Sequence, residues 1–228
     1  MTRYDLDWNE AGLSEAPAVE VLEKLGYTFT PAETLTPERD SLRDAVLARR
    51  LSAALKRLNP WISDDNVHKA VRTVTQPQAT GLLEANEAVY TALTYGISLE
   101  QDLGDGKKGH DVRYFDFENP EENNWVVTRQ LVLRGAKTEI RPDVVVFVNG
   151  LPLAVLECKS PTLGNAWREE GVGQLRRYQE LDERDQGRGG PRLFHTCNGP
   201  SRPAARRRCM APWALRTAST SNGRSRIR

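Results

Sequence analysis

Two carboxylates and one ammonium group lie close together in the stretch RPDVVVFVNGLPLAVLECK, residues 141–159. Asp143 and Glu157 supply the oxygen ligands that a hard cation such as Mg²⁺ prefers, usually together with several retained waters. Lys159 follows Glu157 by two residues, so on a strand both side chains would point to the same face. A divalent cation neutralises charge on a phosphodiester and lowers the pKa of an attacking water. These residue types and their spacing therefore predict metal-dependent phosphodiester hydrolysis.

Two neighbouring strands must position these groups. The β-branched run Val144–Val148 is followed by Asn149-Gly150, the dipeptide most typical of a tight turn, and then by a second apolar run, Leu151–Leu156. Both runs are apolar at successive positions, so we expect both strands in the middle of a sheet that helices cover on each side.

The pairing register of this hairpin decides whether the two carboxylates can share a cation. With a plain two-residue turn, Asp143 would pair with Leu156, and Asp143 and Glu157 would project from opposite faces. A three-residue turn with Gly150 in the left-handed conformation and a bulge would place Asp143 opposite Glu157. We predict this bulged register, or an equivalent irregularity near Pro142.

Each part of the pattern also has a purely structural interpretation. An Asp after Pro at a strand start is often a turn residue, and an isolated Glu-x-Lys at a strand end is often a solvated pair. The full order of Pro-Asp, apolar strand, turn, apolar strand and Glu-x-Lys is much rarer. It favours a nuclease.

A helix is predicted over residues 166–181, in which Gln174 and Tyr178 are four residues apart and share one face. The hairpin followed by this helix resembles the N-terminal nuclease domain of the restriction (R) subunit of type I restriction enzymes, a member of the PD-(D/E)xK superfamily. Without the hairpin, Gln174 and Tyr178 would be interpreted as a polar helix face with one half-buried tyrosine.

The resemblance implies a fold, a substrate and a set of roles. The fold would be α/β, with a mixed sheet like that of restriction endonucleases flanked by helices, and the substrate would be double-stranded DNA. Asp143 and Glu157 would bind Mg²⁺, and Lys159 would orient the attacking water or stabilise charge. Gln174 and Tyr178 would support catalysis by contacting DNA or by ordering Lys159.

Weaker similarity extends upstream and brings the resemblance to residues 14–197. Residues 83–99 resemble the family's Asn-x-x-x-Tyr/Phe helix. Residues 111–130 resemble its D-F-x-N-P-x-x-N stretch, which leads into a first core strand over residues 124–133.

A third acidic residue is a candidate metal ligand. Glu15 precedes Gly26 by eleven residues, a spacing similar to the first helix of many PD-(D/E)xK enzymes, whose Glu reaches the metal. Glu20 is the competing choice, and an ordinary exposed Glu on an amphipathic helix is the structural alternative.

Length and composition fit one α/β domain of 228 residues with 39% hydrophobic content. No stretch approaches the roughly 20 apolar residues of a membrane span, and the acidic, polar N-terminus does not resemble a secretory signal. The three cysteines form no C-x-x-C pair, which predicts a reduced cytoplasmic protein without zinc.

The other elements are predicted from periodicity and capping signals. Helices are expected over residues 15–25 and 38–58, after an N-cap at Ser63, and from Leu83. A polar loop then holds three glycines (Gly104, Gly106 and Gly109) before the three core strands.

The chain changes character near its C-terminus. Residues 198–228 hold eight Arg and no Lys or acidic residue, so removing these eight charges from the overall +1 leaves −7 for residues 1–197. We therefore divide the chain into an N-terminal arm (1–13), a nuclease domain (14–197) and a basic tail (198–228). We interpret the tail as the product of a shifted reading frame; a disordered arm that binds phosphates is the alternative.

The R subunits that this chain resembles also contain an ATP-driven helicase motor and work with specificity and modification subunits. No G-x-x-x-x-G-K-[ST] loop is found in this sequence, so we expect the motor and its ATP site to be missing from it. Two hypotheses follow: a Mg²⁺-dependent DNA endonuclease domain, or an inactive fragment or non-catalytic assembly module of the restriction complex.

Overall fold

The computed structural model describes residues 15–159 and 167–197. Within these ranges the chain forms six α-helices and eight strands. The helices are α1 (Ala16–Lys24), α2 (Ala32–Leu35), α3 (Ala48–Leu58), α4 (Asp64–Thr75), α5 (Leu82–Tyr95) and α6 (Trp167–Tyr178). The strands are β1 (Thr28–Phe29), β2 (Ile97–Asp102), β3 (Lys107–Val112), β4 (Trp125–Arg129), β5 (Leu133–Arg134), β6 (Glu139–Ile140), β7 (Val144–Val148) and β8 (Leu151–Leu156).

A four-stranded mixed sheet in the order β1-β4-β7-β8 carries the predicted site. Strand β1 runs parallel to β4, and the other neighbours are antiparallel. All five residues of β7 are buried, as expected for an apolar strand that is covered on both faces. The pairs β2–β3 and β5–β6 form separate two-stranded ladders.

Helices cover both faces of this sheet. Successive side chains of a strand alternate between faces, and Val144 of β7 packs with Val19 of α1, whereas Val145 belongs to the cluster that contains Tyr178 of α6. The predicted fold class, a mixed sheet flanked by helices, is therefore confirmed. By the same alternation, Asp143 lies on the α6 side.

The closed end of the β7–β8 hairpin sits on a helical layer. Asn149 and Gly150 have φ values of 51° and 85°, which is the geometry of a tight type I′ turn. The backbone N–H of Leu47 donates to the Gly150 carbonyl at 2.8 Å. Helices α3, α4 and α5 pack around Val148 and Leu151, so the turn is fixed against the body of the domain.

The predicted three-residue turn is wrong. Val148 pairs directly with Leu151, which leaves only two residues in the turn. The predicted irregularity near Pro142 is also not where the register changes.

The register changes inside β8 instead. Phe147 pairs with Pro152 but Val146 pairs with Ala154, so Leu153 is an extra residue in β8. This bulge has the effect that was predicted for the turn, because one extra residue moves the rest of the strand to the other face.

The bulge brings the two acidic positions together. Val144 pairs with Leu156, and the same register continued by one residue sets Asp143 across from Glu157. The predicted one-residue shift is therefore confirmed, with a different origin.

Part of the helix predicted over residues 38–58 is irregular, because α3 begins only at Ala48. Arg39 explains the difference: its side chain is buried, and one guanidinium nitrogen donates to the carbonyls of Asp44 (3.3 Å) and Val132 (2.9 Å). These bonds hold residues 39–44 against Val132, which follows β4, and the segment is not helical there.

The predicted polar loop with three glycines is only partly correct, because the strands β2 and β3 extend into it and form a ribbon. Gly104 and Gly106 lie in its turn and Gly109 lies in β3. Ile97 and Leu99 pack on the helical layer, and this apolar face is what makes the polar segment a strand.

Strand β8 is the outer strand of the sheet in the described residues, so the prediction of a central position is correct only for β7. The C-terminal part of the described domain packs on β8 near Pro152. The Pro152 carbonyl accepts hydrogen bonds from the side chains of Thr196 and Cys197.

The remaining helix predictions are confirmed. Ser63 caps α4 by accepting the N–H of Asn66, and α1, α5 and α6 lie where their patterns indicated. Among the described residues, no helix combines the length and the apolar character that crossing a bilayer requires. The predicted arm (1–13) and tail (198–228) lie outside the described residues.

Candidate active site at the open end of the hairpin

Asp143 lies directly before β7 and accepts two hydrogen bonds. The backbone N–H of Cys158 donates to Oδ2 at 2.7 Å, and the side-chain amide of Gln130 donates to Oδ1 at 3.3 Å. Donors on both oxygens fix the plane of the carboxylate, and each oxygen keeps a second lone pair for another ligand.

Glu157 directly follows β8, and its side chain is only 1% exposed. Within the described part of the chain, neither of its carboxylate oxygens has a hydrogen-bond donor. Burial first, and the nearby Asp143 carboxylate second, raise the pKa of Glu157 to about 8. Two carboxyl groups this close need a proton or a cation between them, because their like charges repel when both are ionised.

Lys159 brings a positive charge to the same place. Its Nζ lies 3.8 Å from Oε2 of Glu157, and its side chain is 11% exposed. The ammonium also donates to Oε1 of Gln174 at 2.8 Å. The ammonium is therefore held between β8 and α6.

A chain of hydrogen bonds continues from Lys159 along α6. Nε2 of Gln174 donates to the hydroxyl of Tyr178 at 2.7 Å, and this hydroxyl in turn lies 3.4 Å from the backbone carbonyl of Arg141. The ammonium can only donate, so the Gln174 oxygen must face Lys159 and its NH₂ must face Tyr178. Burial raises the pKa of Tyr178 to about 12, which keeps the hydroxyl protonated and able to donate.

The structure thus brings together all five predicted catalytic residues, Asp143, Glu157, Lys159, Gln174 and Tyr178. Two roles were open for the Gln-Tyr helix, namely a contact with DNA and the ordering of Lys159. The hydrogen bond from Lys159 to Gln174 is a contact of the second kind.

Glu15 is placed differently. It is buried at the start of α1, and its two oxygens accept from Nε of Arg129 (3.0 Å) and Nε2 of Gln130 (2.9 Å). Helix α1 covers the sheet face opposite α6, and the Gln130 amide connects Glu15 to Asp143 through hydrogen bonds to both. Glu20, the competing choice, is exposed on α1.

Two carboxylates, rather than three, face one another here. In residues 15–159 and 167–197, no three His, Cys, Asp or Glu side chains form a group that could hold a metal ion. Mg²⁺ commonly uses one or two carboxylates and completes its shell with waters. Asp143 and Glu157 fit that requirement, and a metal role for Glu15 stays a prediction.

An open groove of about 470 Å³ adjoins Lys159 on the α6 side. Its lining is mixed in charge and comprises Lys159, Glu170, Gly173, Gln174, Arg177, Arg184 and Asp185. The groove gives a path from the surface to the buried ammonium.

Sequence reasoning missed Gln130 and Arg129. Both lie at the end of β4, and neither has a spacing relation to the hairpin motif. The available signal is topological: β4 neighbours β7 in the sheet, so the residue after β4 must lie beside the residue before β7.

The profile of the protein family described as type I restriction enzyme R protein N terminus matches residues 7–224. The chain belongs to this family. Its membership confirms the resemblance that the hairpin and the Gln-Tyr helix indicated.

Curated relatives agree with this assignment. The type I restriction enzyme HindI endonuclease subunit of Haemophilus influenzae is 30% identical over 172 residues, which cover 73% of this chain and 16% of that protein. A protein of Methanocaldococcus jannaschii, named as a candidate MjaIXP endonuclease subunit of a type I restriction enzyme, is 36% identical over 159 residues, 67% of this chain and 15% of its own length. The chain thus spans about one sixth of the length of these relatives.

Proposed function

We propose that this domain is a Mg²⁺-dependent endonuclease of the PD-(D/E)xK class that hydrolyses phosphodiester bonds in double-stranded DNA. One observation carries the proposal. The bulge in β8 brings Glu157 across from Asp143, with the ammonium of Lys159 3.8 Å from Glu157. The relatives' names, which describe endonuclease subunits of type I restriction enzymes, agree with it.

The two carboxylates suit a divalent cation. Both oxygens of Glu157 are buried without a hydrogen-bond partner in the described residues. The ammonium of Lys159, 3.8 Å from Oε2, supplies one positive charge, but Asp143 and Glu157 together carry two negative charges when both are ionised, and the second is costly unless a further cation compensates it. Asp143 and Glu157 would hold Mg²⁺, which when bound supplies charge neutralisation and a more acidic attacking water.

The protein's own groups have separate tasks in this proposal. Lys159 stabilises negative charge on the phosphate or orients the attacking water, and Gln174 holds its ammonium in place. Tyr178 fixes the Gln174 amide and connects it to the backbone of Arg141. The substrate enters along the groove beside α6, where Arg177 and Lys159 offer positive charge to the phosphates.

We further propose that the domain acts as part of a type I restriction complex in the cytoplasm. Its partners would be the specificity and modification subunits, and the ATP-dependent motor would be a separate part of the R subunit. These are properties of a whole restriction enzyme. This chain spans only about one sixth of the length of the related endonuclease subunits.

A plasmid-cleavage assay with Mg²⁺ or Mn²⁺ tests the proposal on the purified chain. Asp143→Ala and Lys159→Ala should each lower the cleavage rate at least about 100-fold, because each removes a charge from the reacting centre. Asp105→Ala and Lys107→Ala are matched controls, since both residues are exposed on the β2–β3 ribbon, and they should cleave like wild type.

Two outcomes would count against the proposal. Equal cleavage by wild type, Asp143→Ala and Lys159→Ala would show that the activity does not come from this site. A folded wild-type chain that cleaves nothing would support the non-catalytic assembly module instead.

A further inference from the structure

Gln130 has a backbone conformation that its residue type rarely adopts. Its φ is +52°, and Asn149 and Glu180 are the other non-glycine residues with positive φ in the described chain. Such a conformation is strained for a residue that carries a Cβ, and it persists where the surroundings fix it. The residue follows β4, and its N–H donates to the Asp143 carbonyl at 3.1 Å, so the backbone alone already places it beside the site.

The side chain of Gln130 connects two acidic residues. Its Nε2 donates to Oε1 of Glu15 at 2.9 Å and to Oδ1 of Asp143 at 3.3 Å. Glu15 is itself buried and anchored by Arg129, whose Nε lies 3.0 Å from its other oxygen. Arg129, Glu15, Gln130 and Asp143 therefore form one continuous chain of hydrogen bonds, which begins at the end of β4, passes through Glu15 before α1 and ends at Asp143.

We infer that Gln130 is a positioning residue for the metal-binding carboxylate of Asp143; this inference rests on the function proposed above. The amide and the N–H of Cys158 hold different oxygens of Asp143, so together they fix the carboxylate plane. Groups that orient a ligating carboxylate in this way commonly change metal affinity 10- to 100-fold when they are removed.

A neutral amide is the group that this position requires. It has two N–H donors and can therefore serve two carboxylates at once. A carboxylate here would repel both neighbours, and an ammonium or guanidinium group would compete with a cation for Asp143. Buried Glu15, paired with Arg129, is the fixed point against which the amide is held.

A role in folding alone does not explain the arrangement. The amide's bond to buried Glu15 contributes to stability, but Gln130 is exposed and so is the contact between its amide and Asp143. That second contact adds little to the free energy of unfolding. The backbone strain, by contrast, is a cost to folding.

Mn²⁺ titration by isothermal calorimetry tests the inference. Gln130→Gly loses the bond to Glu15 but also relaxes the positive φ. The two effects oppose each other, so the variant should unfold near the wild-type midpoint while its Kd for Mn²⁺ rises about tenfold. Gln130→Ala should show the same loss of affinity with a slightly lower unfolding midpoint. Gln78→Ala, at an exposed glutamine outside the site, should bind like wild type.

The outcomes separate this inference from the proposed function. If wild type binds Mn²⁺ and Asp143→Asn does not, but Gln130→Gly binds like wild type, the positioning role is wrong and the metal site stands. If wild type itself binds no Mn²⁺, both are wrong. A Gln130→Gly variant that is much less stable and still binds normally would show a structural role only.

Discussion

At Glu157, folding and the proposed metal binding have opposite requirements. The metal-free fold favours the protonated carboxyl group, because its oxygens are buried and Asp143 is near. A cation needs the ionised form, so binding must release the proton. The same side chain therefore links stability, metal affinity and pH.

The raised pKa predicts the direction of this linkage. Stability from protonated Glu157 is fully present below about pH 4.5, the pKa of an ordinary glutamate, and is lost as pH rises through about 8. Without metal, the unfolding midpoint of wild type should fall over this window relative to that of Glu157→Gln. Mn²⁺ affinity should rise over the same window.

Thermal unfolding between about pH 5 and 9, with and without Mn²⁺, measures both effects. Glu100→Gln, at an exposed glutamate of β2, controls for the general effect of removing one negative charge. Parallel pH profiles for wild type and Glu157→Gln would contradict the assignment.

At the scale of elements, α6 acts on the site through side chains that it holds on one face. Gln174 and Tyr178 are separated by one turn, and their hydrogen bonds connect Lys159 to the backbone before β7. The aromatic ring of Tyr178 also belongs to the apolar core. Helix packing and lysine orientation therefore depend on the same residue.

Tyr178→Phe separates these two contributions. The ring keeps its packing, so the loss of one hydroxyl should cost only about 1 kcal/mol of stability. Gln174 loses its acceptor and Lys159 is held less firmly, so DNA cleavage should fall about tenfold. Tyr95→Phe, which alters a 79% exposed tyrosine, is the control. Unchanged cleavage by Tyr178→Phe would show that the helix does not act through this hydroxyl.

The hairpin turn is a second element with a measurable requirement. A Cβ on Gly150 would lie 2.7 Å from the Leu47 carbonyl oxygen, at a residue whose φ is already +85°. Gly150→Ala should therefore destabilise the domain by more than about 2 kcal/mol. Gly106→Ala, with φ +91° and open space around its Cβ, should cost only about 1 kcal/mol from backbone strain. Denaturant unfolding measures both values. Equal losses of stability would show that the close approach of Gly150 to Leu47 contributes nothing.

Sequence patterns predicted the parts of the fold that depend on local chemistry. β-Branching, the two continuous apolar runs and Asn149-Gly150 predicted the hairpin, and the i, i+4 spacing predicted the shared face of Gln174 and Tyr178. The position of the bulge at Leu153 could not be predicted, because an apolar run contains no local signal for the residue at which the pairing register changes. The irregular segment at Arg39 and the bridging amide of Gln130 depend on contacts between residues far apart in sequence.

At the scale of the whole molecule, charge is unevenly distributed. Residues 1–197 carry a net charge of about −7 once the eight arginines of the tail are removed from the total of +1. An acidic body repels a polyanion at long range, so the proposed DNA substrate would have to be bound by local basic groups. The groove beside α6, with Lys159, Arg177 and Arg184, is where the described structure offers them.

Removing Arg177 and Arg184 together should weaken binding to unrelated DNA sequences by a similar factor. The slope of log affinity against log salt should become shallower by about 2, one for each lost phosphate contact. Fluorescence anisotropy with a duplex in metal-free buffer measures this. Replacement of Arg49 and Arg72, which are exposed on α3 and α4, is the control, and an equal slope for both double variants would place the DNA elsewhere.

The extra residue in β8 has a consequence for how such domains diverge. Deletion of the single codon for Leu153 would remove the bulge. Glu157 and Lys159 would then point to the opposite face of the sheet, toward the apolar side chains packed around α1. The core could survive this change while the acid–amine centre disappears. Loss of two codons would conserve the side to which these groups point. If the proposed function is correct, deletion of an odd number of residues in this strand would convert an active domain into an inactive one with the same core.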